Sequence, residues 1–191
     1  MSTKYISHWI LILLIAGFSS RSSADLKIDD VLIPEEITVD STKLVLNGTA
    51  FRKASLFNVK VWLSGLYLEK KSDQSDEILK SNTNKAIRLF PLYNISVNDS
   101  IKGWKVAFAS NCENLCQALD PEIQKFLASI PEFKKKDQYL YTFTKTGTAY
   151  SLNGKEFFKS NSPDFARLLL ATWIGKNPPT EEVRKGLLST K

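Results

Sequence analysis

The chain has 191 residues, and its 26 Lys and Arg against 20 Asp and Glu leave a net charge of +6, too mild a balance to point to nucleic acid. The single histidine, His8, and the single methionine, Met1, both fall within the first 24 residues. Those residues read as a secretory signal peptide: Lys4 supplies positive charge, Trp9 to Phe18 is an apolar run of ten residues, and the small residues Ser22 and Ala24 mark cleavage after Ala24. A membrane-spanning helix needs roughly 20 apolar residues, so no stable span is expected after cleavage. The expected mature chain, 25–191, then forms one domain of 167 residues in the periplasm or outside the cell. Without histidine it excludes Ser-His-Asp and Cys-His catalysis and any His-built zinc site, and no metal or cofactor is expected.

Taken in chain order, Ile37 to Val39 and Lys43 to Gly48 read as short strands around the polar turn Asp40 to Thr42. Strand character continues through the next stretch, where Phe57, Val59, Val61 and Leu63 alternate on one face. Lys85 to Tyr93 is a further strand that Pro91 ends or confines to an edge. After Ser96 the spacing turns helical, with Val97, Ile101, Trp104, Phe108 and Asn111 on one side.

A second helix is expected to begin afresh at Asp120-Pro121, with Ile123, Phe126, Leu127 and Ile130 as its stripe. Strands return at Gln138 to Thr144 and Thr148 to Leu152, and Asn153-Gly154 predicts a tight hairpin into a last strand. Ser162 caps and Pro163 opens the clearest helix, which carries Phe165, Leu168, Leu169, Thr172 and Trp173 on one face and ends near Gly175. Thr180 caps a short final helix. The sum is an α+β domain, a mostly antiparallel sheet covered on one side by helices.

Polar groups on apolar faces are the informative ones, because a buried donor must be satisfied or kept for a ligand. Asn111 and Thr172 are such groups, although Asn111 also suits a helix end and Thr172 a bond to its own helix. Trp62, Trp104 and Trp173 read as core or as ligand stack. Cys112 and Cys116, four apart, are a candidate disulfide, but a regular helix places such a pair poorly and a bridge requires distorted backbone. Asn47, Asn94 and Asn98 head sequons.

The order and spacing of several motifs resemble the chalcone isomerase-like proteins, in particular their exported bacterial branch. They are LNGxxxRK from Leu46 to Lys53, VKVWLSGLYLEK, the Trp and Phe before Asn111, IPEFKKKDQYL, the Asn-Gly hairpin, and DFARLLLATWIGKNPP. The resemblance implies that family's open-faced β-sandwich, a large antiparallel sheet with a layer of helices and a ligand cleft between them. It also implies two possible activities: ring closure by intramolecular addition of a phenolate to an enone, as in the plant enzymes, or fatty-acid binding without catalysis, as in other relatives.

Carried over position by position, Arg52 matches the arginine that the branches share, and Asn111 matches the active-site asparagine of the enzymes. Trp62 stands where they have a catalytic threonine and Trp104 where they have a catalytic tyrosine. Thr172 and Trp173 match the substrate-contacting pair, with Trp173 enlarged. An indole donates one N–H and accepts nothing, so neither Trp62 nor Trp104 can hold the water network that a hydroxyl holds. The expected function is therefore binding of a small apolar or amphipathic anionic ligand, such as a fatty acid, through Arg52, Trp62, Trp104, Asn111, Thr172 and Trp173. An intramolecular lyase and a ligand-free interaction module with Arg52 in an ion pair stand as alternatives.

Overall fold

Strand order in the main sheet follows chain order, so each strand pairs with the one just made. The computed structural model describes residues 25–54 and 57–189; the expected signal peptide lies outside them. The seven strands are β3 (Glu36–Val39), β4 (Thr42–Ala54), β5 (Val59–Leu68), β6 (Lys85–Pro91), β7 (Tyr139–Thr144), β8 (Gly147–Leu152) and β9 (Lys155–Ser160). Every neighbouring pair is antiparallel. A separate hairpin, β1 (Asp25–Ile28) with β2 (Val31–Pro34), precedes them. The helices are α1 (Ser75–Lys80), α2 (Val97–Asn111), α3 (Cys116–Ala128), α4 (Pro163–Ile174) and α5 (Glu181–Leu187).

The two faces of the sheet have different covers. Leu66, Leu89, Tyr141 and Tyr150 pack with Phe108, Phe126, Phe165 and Leu169 of the helices. Leu63, Tyr67, Ala86 and Phe90 face the other way and pack with Ile33 of the small hairpin. The Tyr67 hydroxyl crosses to donate to the Pro34 carbonyl at 2.8 Å, which fixes hairpin to sheet. Alternation along β5 thus serves two cores rather than one core and solvent.

Local signals act as the sequence predicts at several ends. Ser96 Oγ accepts from Asp99 N, Ser162 Oγ from Phe165 N at 3.2 Å, and Thr180 Oγ1 from Val183 N at 3.3 Å. Asn153 and Gly154 take φ of 50° and 82°, the doubly positive turn that matches strand twist.

The structure corrects four expectations. Residues 25–34, given no element from sequence, form the β1–β2 hairpin around Asp29 at φ 51°. The strand expected to run on through Phe57 instead reverses near Asn58, at φ 53°, leaving Phe57 88% exposed; asparagine tolerates that left-handed backbone. α1, also unexpected, is only six residues long, too short to show a helical period. Finally, α3 begins at Cys116 and not at Pro121. Pro121, five residues inside, forgoes the bond to the carbonyl four residues back and crowds that carbonyl.

β4 and α5 meet on the sheet. Asn47 of β4 is 2% exposed, and its amide donates to the carbonyls of Leu187 at 2.8 Å and Ser72 at 3.0 Å while accepting from Ser72 N. Beside it a Cβ on Gly48 would stand 2.3 Å from the Gly186 carbonyl oxygen, so only glycine lets α5 lie this close to β4.

Candidate functional site

Strand pairing alone brings the first two candidates together. Arg52 of β4 lies opposite Trp62 of β5, and Trp62 lies opposite Pro91 of β6. The register shifts immediately after Arg52, a bulge of the sort that re-aims side chains beside binding sites. Both residues border a cavity of about 560 Å³, within the range of about 300–1,000 Å³ usual for small-molecule sites. α2 forms one wall, with Asp99 and Lys102 nearer its N-terminus and Gly103, Trp104, Ala107 and Ser110 along it. Thr172 and Trp173 at the end of α4, the segment Asn177 to Pro179, and Leu89 and Phe133 close the rest.

The apolar part of the wall is dominated by three indoles. Trp173 meets Trp62 edge-on at 5.2 Å between ring centroids and Trp104 at 6.0 Å, arrangements that aromatic quadrupoles favour. Trp104 in turn packs on Phe126 at 5.0 Å and Phe108 at 5.6 Å, so the cavity wall is continuous with the aromatic core. Trp173 is 3% exposed, and its Nε1 has no hydrogen-bond partner among the described residues. Beneath the indoles lies Tyr141, whose phenol burial pushes well above its usual range, with Tyr150 and Tyr139 adding to the shift. It remains a neutral hydroxyl.

Charge sits at the cavity's edge. The Arg52 guanidinium donates to the Lys53 carbonyl, and among the described residues no carboxylate is within ion-pair distance of it. Lys102 lies 3.8 Å from Asp99, an exposed pair of little energetic weight. A guanidinium has five N–H donors, and one backbone contact leaves most of them for an acceptor outside the protein. Among the described residues no three His, Cys, Asp or Glu side chains gather as a metal site.

Five of the six residues singled out from sequence therefore line one cavity: Arg52, Trp62, Trp104, Thr172 and Trp173. Asn111 lies outside it. Its amide donates to Ala107 O and Asn177 O, each at 2.9 Å, and accepts from Asn177 N at 3.4 Å. These bonds pin the end of α2 to the segment that closes the cavity, a role consistent with the helix-end alternative. Thr172 Oγ1 donates to Leu169 O at 2.7 Å, so its proton is used within its own helix although the residue borders the cavity. Cys112 and Cys116 form a disulfide across a break between α2 and α3, where Glu113 takes φ 49° and supplies the distorted backbone that such a pair requires.

Sequence reasoning missed Lys102 and the small residues Ser100, Gly103, Ala107 and Ser110, which recur at helical spacing on the cavity side of α2. That spacing was readable, but small residues on a helix announce nothing until something stands opposite them.

The model of the chalcone isomerase-like proteins matches residues 25–189. The chain belongs to the chalcone isomerase-like family. A crystal structure of a fatty-acid-binding protein from Arabidopsis thaliana shares its fold, with a TM-score of 0.70 at 17% identity over 83% of this chain and 92% of that one. No curated protein matches the chain by sequence. The α+β architecture, a seven-stranded antiparallel sheet with five helices, is thus the chalcone isomerase-like fold. Among the described residues no helix of this family member is long and apolar enough to cross a membrane.

Proposed function

We propose that the protein is an exported, non-catalytic binder of an apolar molecule with an anionic head, of which a long-chain fatty acid is the representative case. The observation that carries this reading is Arg52, a guanidinium without a carboxylate partner among the described residues, at the edge of a cavity walled by three tryptophans. Its forked donors suit a carboxylate, and the indoles supply apolar area to the tail. The similarity in fold to a protein described as fatty-acid binding supports the same choice. Export rests on the apolar run and small residues of 1–24, and the mature product is expected in the periplasm or the medium with Asp25 as its first residue.

Titration of the delipidated mature protein with hexadecanoate, by calorimetry and by native mass spectrometry, tests the reading. Saturable binding of one acid per chain is expected, and no uptake of any long-chain acid would overturn it. Acceleration of chalcone ring closure over buffer would replace binding with catalysis.

A further inference from the structure

Gly103 lies in the interior of α2, where glycine is the least favourable residue after proline. The other described glycines have local reasons. A Cβ would strike backbone oxygens at Gly48, Gly147, Gly175 and Gly186, would press on the Leu46 and Tyr67 side chains 3.1 and 3.3 Å away at Gly65, and Gly154 takes φ +82° in a turn. Gly103 has neither reason: its backbone is helical, and a Cβ built on it meets nothing within 4 Å. What borders it is the cavity, on the wall it shares with Trp104 and Ala107.

We propose that Gly103 is a specificity-determining position, left without a side chain so that the bound molecule's own apolar atoms pass over the helix there. This rests on the reading of the cavity as a site for an apolar anion. Arg52 accounts for the head of such a ligand and the indoles for the face of its tail. The open volume over Gly103 then admits a tail of substantial length or girth, and a side chain there excludes it. α2 accepts a poor helix former at this position because the ligand, and not the protein, fills the space.

The test compares the delipidated mature protein with its Gly103→Ala, Gly103→Leu and Ala109→Leu forms, reading thermal midpoint and affinity for hexadecanoate and octanoate. Ala109 is on the exposed side of α2, outside the cavity wall. Alanine and leucine are both better helix formers than glycine, so neither Gly103 variant is expected to melt earlier than the parent. Gly103→Leu is expected to lose at least tenfold in affinity for hexadecanoate and less for octanoate, Gly103→Ala to lose little, and Ala109→Leu to bind as the parent does. Parental or tighter binding of hexadecanoate by a folded Gly103→Leu variant overturns the inference alone. If the parent takes up neither acid, the binding reading itself falls and this inference with it.

Discussion

Two helices on the same face of the sheet are built on opposite terms. α4 buries eight of its twelve residues, from Phe165 to Ile174, whereas α2, three residues longer, buries only Phe108. α4 is a foundation whose position follows from apolar area removed from water. α2 is held at its ends, by the Ile95–Phe133 bridge just before it and by the Asn111–Asn177 bonds and the disulfide after it. Between those ties Trp104 and Phe108 reach the core while Gly103, Ala107 and Ser110 border the cavity.

The contrast can be broken most severely from the packed side. Phe165 is fully buried among Phe108, Phe126 and Phe158, with centroids 5.6 to 5.9 Å away. Phe165→Ala is expected to cost about 3–5 kcal/mol in chemical denaturation. On the cavity side Arg52→Ala should leave stability nearly unchanged but weaken hexadecanoate binding by roughly 10- to 100-fold, since a charged hydrogen bond contributes about 1.5–3 kcal/mol. An unchanged dissociation constant would remove Arg52 from the site. Replacing both Cys112 and Cys116 by serine opens a loop with a sequence separation of 4, which the chain-entropy relation puts at about 2 kcal/mol. That loss should appear in denaturant midpoints, with faster amide exchange in α2 than in α4.

Titration separates the regions as well. Burial raises the phenols of Tyr141 and Tyr150, both on the helix-covered face of the sheet. Stability from groups held neutral in this way is complete below the unfolded tyrosine value near 10 and is lost as pH climbs past it. Lys85, buried and donating to the carbonyls of Ser81 and Thr83, is lowered to about 8 by desolvation, with Glu69 opposing. A lowered lysine acts with the opposite sign, so stability should rise modestly from pH 8 to 10 before the tyrosines reverse it. Lys85→Met should flatten the first limb and spare the second. The smallest effect on stability belongs to Val106 of α2, 67% exposed at the cavity's rim, which should tolerate Thr within about 0.5 kcal/mol.

What could be read from sequence was local. Ser96, Ser162-Pro163, Thr180 and Asn153-Gly154 each settle a turn or a helix end with neighbours a few residues away, and each appears in place. The reversal at Asn58 escaped because the apolar alternation continues across it. For Asn111 the sequence left two roles open, a helix end and a ligand contact, because its partner Asn177 is 66 residues further on and nothing around it decides between them. The convergence of Arg52, Trp62 and Trp173 came from family resemblance, because strand register and the docking of α4 are set by the whole fold.

The clasp between Asn47 and the Leu187 carbonyl joins residues 140 positions apart. A chain growing from its N-terminus can make the β4–β5 pairing early, but the seat left by Gly48 stays empty until α5 has been synthesised. Contacts of such long range slow folding. The clasp can therefore close only once α5 has been made, and loss of even the last turn of α5 should leave a nearly complete sheet with β4 uncovered.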